Sequence, residues 1–257
     1  MNIKYAAIAV LAAAGLAGCS SSGLNMDGLT SAGGKVFQAY NMTDAQIQQL
    51  SDQACAQSDA ENTIAKPGSK YDARLQKIAK PLSKSLNGVT PNFKVYQTKD
   101  INAWAMANGC IRVYSGLMDK MNDNELQGII GHEMGHVALG HTKKAMQTAY
   151  TVSAARDAAS AAGGATVAAL SASQLGDLTE KFINAQFSQS QELDADSFAY
   201  DTMKANNLKT TGLVTAFNKL AAMESGNSST AESMMSSHPD SKDRMQRIQA
   251  RIDADKK

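Results

Sequence analysis

The sequence is poor in several kinds of residue, and each shortage excludes a class of protein. Its 257 residues include four histidines, three cysteines and one tryptophan, and aromatic residues make up 5% of the chain. The 25 lysines and arginines are balanced by 24 aspartates and glutamates, which leaves a net charge of +1. Because there is neither a basic excess nor a basic run interleaved with aromatics, we expect no nucleic-acid partner. The length suits a single domain with a sizeable core.

An apolar stretch near the N-terminus predicts export of the chain. Lys4 followed by the apolar residues 6–17 is typical of a signal sequence, which we place at residues 1–18. The segment Leu16-Ala17-Gly18-Cys19 resembles the lipobox of bacterial lipoproteins, in which the cysteine is lipidated and becomes the new N-terminus. The alternatives are ordinary secretory cleavage near Gly18 and a short anchor helix.

The residues after the lipobox fit a lipidated tether. Residues 19–35 begin with a run of serine and glycine typical of a flexible linker, which leaves residues 36–257 for one folded domain. An inner-membrane retention signal would have aspartate directly after the cysteine, where this chain has Ser20. The sequence therefore predicts a protein that acyl chains such as palmitate hold in the outer membrane, facing the periplasm.

Two cysteines, Cys55 and Cys110, remain in the mature chain. An even number of cysteines in an oxidising compartment favours a disulfide, and we predict one between these two residues. Two separate buried thiols are the alternative.

The segment Gly131-His132-Glu133-Met134-Gly135-His136 carries the strongest sign of chemistry. It lies in a run from Asn122 to His141 that we predict to be one helix, with a capping box formed by Asn122 and Glu125. Histidines four residues apart lie on one face of a helix, here with Glu133 beside them. A catalytic zinc needs two such imidazoles, a third ligand and an open position for water, whose proton the glutamate can take. The alternative is a chance match on an ordinary helix.

A second predicted helix, over residues 177–206, is expected to supply the third ligand. One of its faces carries two acidic and two small residues, Glu192, Ala195, Asp196 and Ala199. The first helix has matching small residues, Gly128, Gly131 and Gly135, so the two helices can pack closely. We therefore predict Glu192 as a zinc ligand and Asp196 as the partner of the back nitrogen of a ligating histidine. An exposed acidic face is the alternative.

Three further basic residues, His141, His238 and Arg244, bear on the site. On a continuous helix His141 would lie about 180° around from His132, so it is predicted to face away as a surface or helix-end residue. His238 could hydrogen-bond the oxyanion of a substrate, occupy the open metal position, or only begin the last helix. Arg244 could stabilise negative charge, although an arginine near a chain end mostly faces solvent.

A small sheet is predicted just before the His132–His136 helix. Two helices precede it, from Thr43 to Ser58 and from Lys70 to Leu86, and alternating apolar residues then indicate three strands around residues 93–97, 101–106 and 111–113. Asn108-Gly109 is a hairpin signal between the last two strands. An extended substrate can pair its backbone with an edge strand, and Asn102-Ala103-Trp104-Ala105 is our candidate for that edge. Purely structural strands are the alternative.

Taken together, these residues resemble the HtpX/BepA group of gluzincin zinc metallopeptidases, whose motifs are HExxH and a downstream ExxxD, here Glu192 and Asp196. The similarity extends through residues 102–110, the HEMGHVALGH segment and His238-Pro239. It implies a mainly helical α+β zincin-like domain with a small antiparallel sheet beside the active-site helix, binding one zinc ion. It also implies that residues 102–105 line the substrate cleft and that His238 and Arg244 approach the site.

The resemblance implies an endopeptidase that acts on misfolded or unassembled envelope proteins, with the outer-membrane assembly machinery as a candidate partner. A chaperone or assembly factor with latent or self-inhibited protease activity is the alternative, and His238 is the residue that could keep such a protease closed. The Ala- and Gly-rich segment 154–173 has too short an apolar part to span a bilayer comfortably, so a close-packed helix or a surface lobe is expected there.

Overall fold

A computed structural model gives the fold of the chain and describes residues 41–83, 86, 88–159, 170–225, 232–238 and 241–256. The predicted signal sequence, the lipidation site Cys19 and the tether to residue 35 lie outside these residues, as do residues 160–169 of the Ala- and Gly-rich segment. None of the helices in the described part is both long enough and apolar enough to cross a membrane.

The described residues form a mainly helical α+β domain with one small sheet, so the predicted fold class is confirmed. In chain order the elements are α1 (Asp44–Glu61), α2 (Lys70–Ala79), β1 (Asn92–Tyr96), β2 (Ala103–Ala105), β3 (Cys110–Tyr114), α3 (Ser115–Lys120), α4 (Asp123–Ala138), α5 (His141–Ala159), α6 (Ala172–Ile183), α7 (Gln189–Ala205), α8 (Thr211–Ser225), α9 (Glu232–Ser237) and α10 (Ser241–Ala254).

Local signals set most helix ends. Capping boxes begin α1, at Thr43, and α4, at Asn122, as the sequence predicts. Helix α2 is shorter than expected, because it ends at Ala79 and gives way to a 3₁₀ turn over Lys80–Leu82. Pro81 lies in that turn, and its missing N–H cannot continue an α-helix.

The sheet is mixed, so the expectation of an antiparallel sheet was wrong for one of its two pairings. Strand β3 lies in the centre, antiparallel to β2 and parallel to β1. The predicted hairpin joins β2 to β3, with Gly109 at a φ of +81°. After β1 the chain first forms β2 at the opposite edge of the sheet. It then turns back through the hairpin, and β3 inserts between β1 and β2, parallel to β1.

The sheet separates two apolar clusters. Phe93, Val95, Ile111 and Val113 belong to the larger cluster together with the apolar side of α4. Tyr96, Trp104 and Met106 belong to the second cluster, which α1, α5 and α6 also supply. The predicted disulfide between Cys55 and Cys110 is formed and ties α1 to β3 within this second cluster.

Candidate metal centre

Close packing of α4 against α7 brings the predicted site residues together. A Cβ atom added at Gly131 would lie 3.4 Å from Ala199, and one at Gly135 would lie 2.9 Å from the carbonyl oxygen of Ala195. At Gly135 only a residue without a side chain allows this approach, whereas at Gly131 a methyl group would make an ordinary contact. Gly128, which we expected on the same contact, faces Leu213 of α8 instead, where its Cβ would be 2.8 Å from the Leu213 Cα.

Donor atoms of three residues converge where the two helices meet. The Nε2 atoms of His132 and His136 lie 3.0 Å apart, and the Glu192 carboxylate approaches them with Oε2 at 3.6 Å from His132 and Oε1 at 3.2 Å from His136. Four ligands held tetrahedrally at the usual zinc distances of about 2.0–2.1 Å would be separated by about 3.3 Å. The spacing and the chemistry of these donors therefore fit one zinc ion, with the ligands that the sequence predicts.

His238 brings a fourth donor to the same point. Its Nδ1 lies 3.3 Å from His132 Nε2 and 3.0 Å from Glu192 Oε1, and the donor atoms of all four residues lie within 4.8 Å of one another. All four side chains are buried, with His238 the most exposed at 4%. His238 therefore completes a group of four donors that could hold one metal ion.

Glu133 lies beside this cluster without joining it. Its side chain is buried, and its Oε1 has no hydrogen-bond partner among the residues that the structure describes. The nearest basic atom is His238 Nε2, at 3.6 Å. Burial raises the pKa of the Glu133 carboxyl group. A buried carboxylate with a free oxygen and a raised pKa is suited to accept a proton from a neighbouring water.

The back of His132 is held by an acid and a base. Its Nδ1 lies 2.8 Å from Asp196 Oδ1, as the sequence predicts. Arg244 grips the same aspartate through Nε at 2.7 Å and Nη2 at 2.8 Å, and its Nη1 is paired with Glu192. Arg244 is only 2% exposed, with its guanidinium over the Phe217 ring, so it approaches the site as the resemblance implies and does not lie on a solvated face. It is therefore paired with two carboxylates, those of Asp196 and Glu192.

The charges of the cluster suit metal ligation. Burial lowers the pKa of His136 well below its ordinary value, which leaves this imidazole neutral with a lone pair to donate. Burial alone would raise the pKa of Glu192, but His238 and His132 outweigh that effect and keep it ionised. In the same way Arg244 and His132 outweigh the burial of Asp196 and lower its pKa.

Two residues at the centre were missed because the predicted helices are interrupted. The run from Asn122 to His141 is broken at Gly140, whose φ is +73°, so His141 begins α5 and turns back, with its Nδ1 at 3.0 Å from the Nδ1 of His136. The expectation that His141 faces away was therefore wrong. The predicted helix 177–206 is also two helices, and the loop between them places Phe187 flat on the His136 ring at a centroid distance of 3.9 Å.

The predicted substrate strand forms the edge of the sheet and packs against α4. Asn102 precedes β2, which consists of Ala103, Trp104 and Ala105, and all four residues are at most 4% exposed. The Trp104 ring packs edge-on against Tyr96 in the second apolar cluster. Ala103 and Ala105 belong instead to the larger cluster, which also contains the apolar side of α4.

Comparison with known proteins agrees with this geometry. Residues 69–252 match peptidase family M48. Metalloprotease LoiP of Escherichia coli is 51% identical over 99% of both chains, and metalloprotease YcaL of the same organism is 46% identical over 98% of both. A putative beta-barrel assembly-enhancing protease of Vibrio cholerae is 28% identical over 63% of this chain and 35% of its own. The chain therefore belongs to the metalloprotease family peptidase M48.

Proposed function

We propose that this protein is a zinc-dependent endopeptidase that hydrolyses peptide bonds of misfolded or unassembled proteins of the cell envelope. The observation that carries the proposal is the close approach of the two histidine Nε2 atoms, 3.0 Å apart, to the Glu192 carboxylate, whose oxygens lie at 3.2 and 3.6 Å, beside the free Oε1 of Glu133. A binding protein would have no use for such a general base. The name of the V. cholerae relative, a putative beta-barrel assembly-enhancing protease, supports an envelope protein as substrate.

Each residue then has a defined task in water-promoted hydrolysis. His132, His136 and Glu192 would hold the metal. Zinc, when bound there, supplies Lewis-acid chemistry, because it lowers the pKa of water from 15.7 toward about 7 and polarises a carbonyl group. Glu133 accepts the proton of the attacking water and delivers it to the amine that leaves. Asp196, itself fixed by Arg244, holds the Nδ1 proton of His132, so that His132 Nε2 is free to ligate.

The edge strand β2 offers a backbone template for the substrate. The Tyr114 N–H donates to the Asn102 carbonyl and the Met106 N–H to the Cys110 carbonyl, so even-numbered residues bond to β3. In an antiparallel pair the alternate residues turn their backbone groups outward, and here these are Ala103, whose N–H already donates to Asn102 Oδ1, and Ala105. A substrate segment pairing with them would lie extended beside α4, and its recognition would depend little on sequence.

The location of the protein is proposed from its N-terminus. A signal sequence over residues 1–18, lipidation of Cys19 and a tether over residues 19–35 would hold the domain formed by residues 36–257 on the periplasmic side of the outer membrane. The Cys55–Cys110 disulfide suits such an oxidising compartment.

The test is an assay on an unfolded protein substrate at neutral pH. We expect cleavage that stops on addition of a chelator and returns with zinc. Glu133→Gln should retain zinc and the fold but lose at least about 10²-fold in rate, because only the proton acceptor is removed. Cleavage that a chelator does not affect, or an active Glu133→Gln variant, would contradict the mechanism.

Self-inhibition is a second candidate property, favoured by the position of His238. The histidine completes the donor cluster, and four ionisable groups around it are nearly sealed from solvent, namely His132, His136, Glu192 and Glu133. His238→Ala should be more active than the unaltered protein if this residue closes the site. A less active variant would instead support a role in stabilising the oxyanion.

A further inference from the structure

His136 is held at both of its ring nitrogens, and the second contact has no counterpart in the sequence motif. Its Nε2 faces His132 Nε2 at 3.0 Å and Glu192 at 3.2 Å, which is the side where the metal would bind. Its Nδ1, at the opposite edge of the ring, lies 3.0 Å from the Nδ1 of His141. These histidines are five positions apart in the sequence, and an unbroken helix would place them about 140° apart. The turn at Gly140 brings them together.

The number of protons on the two imidazole rings decides which ring donates the hydrogen bond. A neutral imidazole carries one proton, so His136 can offer the lone pair of Nε2 only when its proton is on Nδ1. That proton needs an acceptor in a buried site, and the Nδ1 of His141 is the atom in reach. His141 accepts it when its own proton is on Nε2. A hydrogen bond from His136 to His141 and ligation by His136 Nε2 therefore require the same tautomer.

The two ligating histidines are in this respect a matched pair. His132 has Asp196 at its back nitrogen, at 2.8 Å, and His136 has His141 at 3.0 Å. The Phe187 ring, stacked on His136, fixes the tilt of the ring but offers no acceptor. Partners of this kind usually raise the basicity of a ligand and fix its orientation.

We propose that His141 is a positioning residue for the metal centre, which selects the ligating tautomer of His136 and so increases the affinity for zinc. The inference rests on the proposed metal site. It adds a role for the last histidine of the HEMGHVALGH segment, which the mechanism above does not use.

Zinc affinity measured against a competing chromophoric chelator tests the proposal without relying on activity. His141→Phe keeps an aromatic ring but has no hydrogen-bond acceptor. His141→Asn keeps an acceptor, because its amide oxygen is bonded to Cγ, the same atom that carries Nδ1 in histidine. We expect His141→Phe and His141→Ala to lose about 10–100-fold in zinc affinity and His141→Asn to stay within about 3-fold of the unaltered protein. The melting temperature of the metal-free protein should be similar in all variants.

The outcomes separate the proposal from its alternatives. Unchanged affinity in His141→Phe would overturn it, as would an equal loss in the Phe and Asn variants, which would indicate packing rather than an acceptor. If the unaltered protein itself fails to bind zinc, the proposed metal centre is wrong, which is a different result from either.

Discussion

Replacing Gly135 with alanine places a methyl group in the contact on which the metal centre depends. The added Cβ would lie 2.9 Å from the carbonyl oxygen of Ala195 and 3.0 Å from its Cα, whereas ordinary contacts begin near 3.4 Å. Because both obstacles are backbone atoms, α4 and α7 must separate by roughly 0.5 Å. Such overpacking costs about 1–3 kcal/mol, which the helix propensity of alanine offsets by about 1 kcal/mol.

Gly131→Ala is the matched control. Its Cβ would meet Ala199 at 3.4 Å, an ordinary contact, so the substitution should keep the propensity gain of about 1 kcal/mol. The two variants should therefore differ by about 1–3 kcal/mol in the free energy of unfolding, or by roughly 2–12 °C in melting temperature. Since Glu192 moves with α7, Gly135→Ala should also bind zinc about 10-fold more weakly. Equal melting temperatures and equal zinc affinities in the two variants would refute the close-contact argument.

Three further predictions concern the third ligand, a buried ion pair and the disulfide. Glu192→Ala should lower zinc affinity by more than about 100-fold, and full zinc occupancy in a chelator competition would contradict its role. Asp59, whose pKa falls because hydrogen bonds from Arg112 and Lys94 outweigh burial, stabilises the fold above pH 3.8, and this contribution is lost as the pH drops through the lowered pKa. Asp59→Asn should thus lower the free energy of unfolding by about 2–4 kcal/mol at pH 7, because it leaves buried Arg112 without its anion. In chemical unfolding, the difference in stability between this variant and the unaltered protein should shrink below pH 3.8. A difference that does not change with pH would show that the ion pair is not its cause. Changing both Cys55 and Cys110 to serine should lower stability by up to about 4 kcal/mol, and an unchanged melting temperature would show that the cross-link adds nothing.

The residues of the centre were accessible from the sequence because their geometry is local to two helices. His132, Glu133 and His136 share one helix turn, and Glu192 and Asp196 share another, so helical periodicity alone places each set on one face. The meeting of the two faces was also predictable, since Gly131 and Gly135 match Ala199 and Ala195 in size. Local pattern and tertiary packing agree here.

The parts that the sequence analysis missed depend on chain breaks and on pairing between distant segments. Gly140 was a usable sign of a helix end, and the capping box from Ser188 to Gln191 marked a helix start, which together would have separated His141 and Phe187 from their predicted helices. No local signal records that β1 pairs with β3 rather than with β2. The burial of Arg244 is similarly a matter of where α10 docks, which a helix near the chain end does not reveal.

The division of the proposed ligands between α4 and α7 has a consequence for the newly made protein. His132 and His136 are separated from Glu192 by more than fifty residues of chain, so an incompletely folded molecule holds two of the three donors and has no assembled catalytic centre. Peptidase activity would thus appear only once α7 has packed against α4. Zinc bound at that stage would in turn favour the folded state. A protease built in this way cannot digest its neighbours while it is still being made.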